Sequence, residues 1–140
     1  GLEERIIPIN AAFSSVSGVI DLSLKDVDTA SIAKNPLKMF TRHHKDINTY
    51  RVKAITLSEI MKLYNVDGGV LKMDCEGCEY DIILNDFKHV ALFDELIFEY
   101  HAHVAGMSNQ SLLRILSRSF DCRIVKGGST QGVIHCIRKQ

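Results

Sequence analysis

Residues 71–84 read LKMDCEGCEYDIIL, and this short span holds two kinds of reactive group. Cys75 and Cys78 have the CxxC spacing that serves thiol exchange or half of a zinc site. Asp74, Glu76 and Glu79 are carboxylates, able to take a proton from a hydroxyl or to hold a cation. Further along, Glu99 and His101 stand two residues apart, so they share one face if that stretch is a strand.

Charge separates the two readings. A working thiolate needs positive surroundings, whereas Asp74, Glu76 and Glu79 flank both cysteines with negative charge, which disfavours thiolate. Structural zinc would need two more ligands, and Cys122 and Cys136 stand singly, with no second CxxC. The sulfurs are therefore expected to be reduced and to fill space at a strand end, and no metal ligand set is assigned. The carboxylates fall where an open parallel sheet gathers its ligands, at the carboxyl ends of strands. Acidic residues near a helix start also gain roughly 0.3 to 1 kcal/mol from the helix dipole without any function, and for Glu79 that reading stands beside the functional one. Lys72 shares a strand face with Asp74 and needs a partner or a water-filled cleft. His43 and His44, between Arg42 and Lys45, read as solvated surface, as does His89; His103 opens a loop and has no assigned role.

The elements that must position these groups follow from periodicity. Arg5 to Phe13 reads as an edge strand or a poorly paired one because Pro8 interrupts it, and Val19 to Leu24 alternates like a half-exposed strand. Lys25 to Tyr50 shows little period and is expected to be mainly loop; Arg51 to Ile55 reads as a short strand. Thr56 and Glu59 have capping-box spacing, and Leu57, Ile60, Met61 and Tyr64 recur as on an amphipathic helix. Val70 to Asp74 reads as a buried strand. Gly77 then turns the chain into a helix with Tyr80, Ile83, Leu84 and Phe87 on one face. Leu96 to Tyr100 is the next strand, and Ser108 caps a helix with Leu112, Ile115, Leu116 and Phe120 inward. Cys122 to Lys126 and Val133 to Arg138 form an antiparallel hairpin across GGSTQG. Strands alternating with helices predict an α/β domain with a mainly parallel sheet covered by helices.

The 140 residues fit a single domain with one core. Seventeen basic and seventeen acidic residues cancel, which gives no field for nucleic acid or an anionic membrane surface. Apolar runs such as Leu96-Ile97-Phe98 are too short for a membrane span, and GLEERIIPIN lacks the apolar stretch of a signal peptide, so a cytoplasmic setting is expected.

The span LKMDCEGCEYDIIL resembles the L-K-[IM]-D-x-E-G-x-E-x-x-[IVL]-L signature of FkbM-type methyltransferases, with Lys72, Asp74, Glu76, Gly77 and Glu79 at its fixed positions. The segment Ile9-Asn10-Ala11-Ala12-Phe13-Ser14 is similar to the family's N-A-A-[LF]-S turn, VKAITLSEIM to its V-x-x-x-T-L-D-x-[LI] segment, and Glu99-Tyr100-His101 to its E-x-H. Ser58 stands where the family usually has aspartate. The resemblance implies a Rossmann-like class I methyltransferase sheet, mainly parallel with a C-terminal antiparallel hairpin, in strand order 3-2-1-4-5-7-6. It also implies transfer of a methyl group from S-adenosylmethionine to a hydroxyl of a small molecule, sugar or lipid.

In that reading Asn10 and Ala11 line the adenine pocket. Asp74 borders both cofactor and acceptor as general base, or as ligand of an optional divalent ion; His101 is the alternative base, and Glu76 and Glu99 shape the substrate pocket. The family's D-x-G-A-x-x-G and E-P segments have no counterpart here, so residues 1–140 are expected to form one N-terminally incomplete methyltransferase-like domain lacking the first two strands, with weak S-adenosylmethionine binding. A strand edge at Val70 to Asp74 would then be bare, covered either by Arg5 to Phe13 or by a second copy in a homodimer. The alternative is a non-catalytic methyltransferase-like binding module.

Overall fold

The computed structural model describes residues 1–25, 29–33 and 48–140. They form a mixed α/β arrangement with two four-stranded sheets, in place of the single mainly parallel sheet expected. The first contains β1 (Ala12–Phe13), β2 (Gly18–Lys25), β3 (Thr29–Ala33) and β4 (Asn48–Ile55) in the order β1-β4-β2-β3. Only β1 and β4 are parallel there; β2 lies antiparallel to both β4 and β3. Antiparallel ladders predominate because β2 pairs both with β3, the next strand, and with β4, from Gly18↔Ala54 to Leu24↔Asn48.

The first strand lies at a sheet edge and is poorly paired, as expected, but it is much shorter than Arg5 to Phe13. A 3-10 turn occupies Leu2–Arg5, and pairing begins only at Ala12, because Pro8 has no N–H to offer a ladder and Ile6 and Ile7 remain exposed. The stretch expected as loop contains β3 and the start of β4. Residues 26–28 and 34–47, with Arg42, His43, His44 and Lys45, lie outside the described residues.

Helix α1 (Leu57–Tyr64) starts where its sequence says it should. The Thr56 hydroxyl accepts from the Glu59 N–H at 3.2 Å, and the Glu59 carboxylate accepts from the Thr56 N–H at 2.9 Å. The Thr56 N–H, and after it the Thr56 hydroxyl, donate to the Glu59 carboxylate and hold it below its ordinary range. Asn65 closes the helix in the left-handed conformation.

The second sheet carries the acidic span. It holds β5 (Val70–Met73), β6 (Glu95–His101), β7 (Phe120–Gly127) and β8 (Gln131–Arg138) in the order β5-β6-β8-β7. Strand β5 is parallel to β6, while β8 is antiparallel to both of its neighbours. The hairpin expected at the C-terminus is therefore present. Helices α2 (Cys78–Asn85) and α3 (Phe87–Val90) connect β5 to β6, and α4 (Ala102–Ala105) and α5 (Asn109–Leu116) connect β6 to β7. One face of the sheet, with Met73, Leu96, Phe98, Tyr100, Ile134 and Cys136, is buried in a core with Ile82, Ile83, Leu112 and Leu116. Val70 and Ile137, on the other face, are about half exposed.

That one-sided covering corrects the reading of β5 as a buried strand: Val70 and Lys72 are exposed and only Met73 is fully buried, because β5 is an edge. On α2, Ile82 takes the inward place expected for Leu84, which is 39% exposed, and the helix stops at Asn85 so that Phe87 opens α3. The two sheets are tied by Ser15, whose N–H and hydroxyl both donate to the Asp81 carboxylate on α2, at 3.0 and 2.8 Å.

The cysteines also depart from expectation. They are paired, Cys75 with Cys78 and Cys122 with Cys136, and none is free. The geometry explains it. Cys122 and Cys136 face each other across the β7–β8 ladder, and the turn through Gly77 brings Cys75 and Cys78 to a Cα separation of 5.4 Å, within bridging range. The expectation of reduced thiols is thereby corrected.

Candidate functional site

Strand β5 ends at Met73, and the next residues, Asp74 to Gly77, turn the chain into α2. Glu76 has a φ of 53° and Gly77 one of 114°, so two successive residues take up the left-handed region. Such a turn leaves backbone N–H groups pointing inward, and buried N–H groups need an acceptor. Glu79 supplies it: one carboxylate oxygen accepts from Cys75 N–H and the other from Gly77 N–H, each at 2.8 Å, and the side chain is fully buried. Its role is thus larger than the dipole effect allowed for it from sequence.

His101, the last residue of β6, lies across from this turn and is 1% exposed. Its Nε2 is 3.4 Å from a Glu76 oxygen and 3.9 Å from Glu99; its Nδ1 is 3.6 Å from Glu79. Neither ring nitrogen has a hydrogen-bond partner among the described residues. Donor atoms of Asp74, Glu76 and His101 all lie within 4.8 Å of one another. Four of the residues singled out from sequence, Asp74, Glu76, Glu99 and His101, therefore gather at one end of the β5–β6 pair. Lys72, Asp74 and Glu99 line a shallow cleft beside them with Ile97 and Val133.

Asn10 and Ala11 sit elsewhere in the chain's architecture, at the entry to β1 in the first sheet, with Asn10 exposed. His103 is exposed, its Nδ1 3.3 Å from the Thr130 carbonyl and its ring edge-on to His101. His89 is not solvated surface: its Nδ1 is bonded to Asp86, which places the ring as part of the α2–α3 junction.

Two contributors were missed from sequence. Gln131 donates to Glu99 at 2.6 Å, and nothing short of the β6–β8 register, which pairs His101 with Gln131, could have shown it. Tyr80 buries a hydroxyl without a partner among the described residues; burial pushes its pKa up to about 12, with Tyr100 and Glu79 adding to the effect, so it stays neutral and is no base.

In α/β domains ligands gather at the carboxyl ends of parallel strands, which is where these carboxylates and the histidine lie. The particular family is shown: the family model for the methyltransferase FkbM domain matches residues 3–122, and the chain belongs to that family. No curated protein and no solved structure matches the chain. Among the described residues no helix is long and apolar enough to cross a membrane.

Membership implies an S-adenosylmethionine-type cofactor for the family. The described residues do not by themselves fit it. The strand–glycine–helix turn at Gly77 has its Cys75 and Gly77 N–H groups already satisfied by Glu79, and a Cβ at Gly77 would come within 2.7 Å of Val104, so that turn offers no open anion cradle.

Proposed function

We propose that this domain forms the acceptor side of an S-adenosylmethionine-dependent O-methyltransferase acting on a hydroxyl of a small molecule, sugar or lipid. The observation that carries this reading is the convergence of Asp74, Glu76, Glu99 and His101 on one sheet end in a chain of the FkbM family. The sheet order β5-β6-β8-β7 supports it as well, since it is the 4-5-7-6 half of the order that the resemblance implies, with the antiparallel strand in the right place. A neutral alcohol is a poor nucleophile, and a carboxylate within reach takes its proton as it attacks. Asp74 is the exposed member of the cluster and the general base; the buried His101 is the alternative. Glu76 and Glu99 receive the acceptor's remaining hydroxyl groups, and Asn10 with Ala11 belongs to the cofactor side.

Labelled methyl transfer to a panel of sugars, glycolipids and simple alcohols tests this. Asp74→Asn is expected to lower kcat by a factor on the order of 100 to 10,000. A wild-type rate in that variant would remove Asp74 as base. No transfer to any hydroxyl by the unaltered chain would favour a second reading, a non-catalytic binding module, which the filled turn at Gly77 supports.

The β5 edge also belongs to this proposal. Arg5 to Phe13 does not cover it, because β1 pairs with β4. Among the described residues β5 has β6 as its one neighbour in the sheet, and an unpaired edge templates association. A homodimer through β5 is therefore proposed, with light scattering expected to give twice the chain mass; a monomer at high micromolar concentration would rule it out.

A further inference from the structure

We infer that Asp74, Glu76 and His101 form a binding site for one divalent cation of the Mn2+ type. The ion site stands on geometry, while its role beside an acceptor hydroxyl rests on the methyl-transfer reading above. Acidic residues gathered at a turn would carry little weight alone. The independent observation is His101, 1% exposed, with an Nε2 that has no hydrogen-bond partner among the described residues and lies 3.4 Å from a Glu76 oxygen. A buried imidazole nitrogen left without a partner costs free energy unless something fills the gap, and a cation does so.

The donor spacing suits an ion. Bonds of about 2.1 Å place opposed ligands about 4.2 Å apart, close to the 4.8 Å within which these donor atoms lie. Two carboxylates and one imidazole are a donor set for Mn2+ or a close relative in the same series, and three protein ligands leave positions open.

The surroundings add the expected support. A metal-binding histidine usually gives its other ring N–H to a carboxylate, which fixes the tautomer. Here Nδ1 is 3.6 Å from Glu79, and Glu79 is itself locked by the Cys75 and Gly77 N–H groups. Glu79 is thus a positioning residue: it holds the turn that carries Glu76. With the cation bound, Asp74 and His101 serve as ligands, Asp74 gives up the role of base that it has in the metal-free reading above, and Glu99, 3.9 Å from the ring, is the carboxylate left to receive the acceptor's proton.

The test is titration of the chelator-treated, full 140-residue chain with MnCl2, read by calorimetry and by loss of the free-ion EPR signal. One ion per chain is expected, with the dissociation constant rising at least tenfold in Asp74→Asn and in Glu76→Gln. Both residues have solvent access, so these variants keep the fold, and matched circular dichroism spectra check it. His135→Gln, which breaks the separate Glu95–His135 contact, is expected to leave binding unchanged. No binding up to millimolar Mn2+, binding that survives both carboxamide variants, or binding lost with His135→Gln would each overturn the site. Stoichiometric Mn2+ binding with no binding of hydroxylated compounds to the Mn2+-loaded chain would uphold the site and remove the acceptor reading.

Discussion

Replacing Glu79 with alanine is expected to destabilise the domain by about 3 kcal/mol, measured as the shift in a urea unfolding midpoint at constant slope. The side chain is fully buried and its two oxygens take the N–H groups of Cys75 and Gly77. Alanine leaves both donors inside the turn without an acceptor, at a cost of about 1 to 3 kcal/mol each, and adds a cavity. Against a total stability of about 5 to 15 kcal/mol, that is a large fraction. Glu79→Gln keeps one acceptor oxygen and is expected to lose about half as much. A loss below about 1 kcal/mol in the alanine variant would mean that water satisfies the turn, and the rigid support assigned to Glu79 would fall with it.

Gly132→Ala is expected to cost about 3 kcal/mol, at the upper end for overpacking, because most of what the new Cβ meets cannot give way. It would lie 2.3 Å from the Lys126 carbonyl oxygen, 2.8 Å from the Gly127 Cα and 2.7 Å from the Tyr100 hydroxyl. The first two are backbone of the facing strand, held by the register that pairs Gly127 with Gly132. The third is tied down too: the Tyr100 hydroxyl donates to the Gly128 carbonyl and accepts from Asn109 on α5. Relief therefore requires the β7–β8 ladder to part at its loop end, next to the Gln131 that holds Glu99. The double variant Tyr100→Phe, Gly132→Ala distinguishes the causes. Removing the hydroxyl should restore little, and full rescue would show that the ring and not the strand is the obstacle.

The elements legible in the sequence are those whose signals are local. The capping box at Thr56 and Glu59, the Ser108 cap, the glycine turn at Gly77 and the GGSTQG hairpin each depend on residues a few positions apart, and all four form. The cluster of Asp74, Glu76, Glu99 and His101 was also legible, because alternation along two strands and their parallel alignment are enough to bring them to one end. What was not legible depends on partners far along the chain. The pairing of β1 with β4, the antiparallel zip of β2 onto β4 and the exposure of one face of β5 follow from which strand meets which, and periodicity is silent on that. The disulfides are the same case: Cys122 and Cys136 looked single until the hairpin register set them opposite. For Glu79 the helix-dipole account was adequate for an exposed residue and failed because the turn needed an acceptor inside.

The pairing of β5 with β6 has a bearing on the order in which the molecule is built. Strands β7 and β8 are joined by a short loop and can meet early, whereas β5 finds β6 only after α2 and α3 have been laid down between them, and loop closure of that kind is the slower event. Asp74 and Glu76 belong to one side of that late junction and His101 to the other. The acidic pocket therefore exists only once that junction has closed, and whatever binds in it binds the folded domain and not the unfolded chain. Such a ligand raises the melting temperature by mass action, by about 2.7 kcal/mol of added stability when present at a hundredfold excess over its dissociation constant. Thermal shift against panels of cations and hydroxylated compounds thus gives a direct route to the pocket's natural occupants.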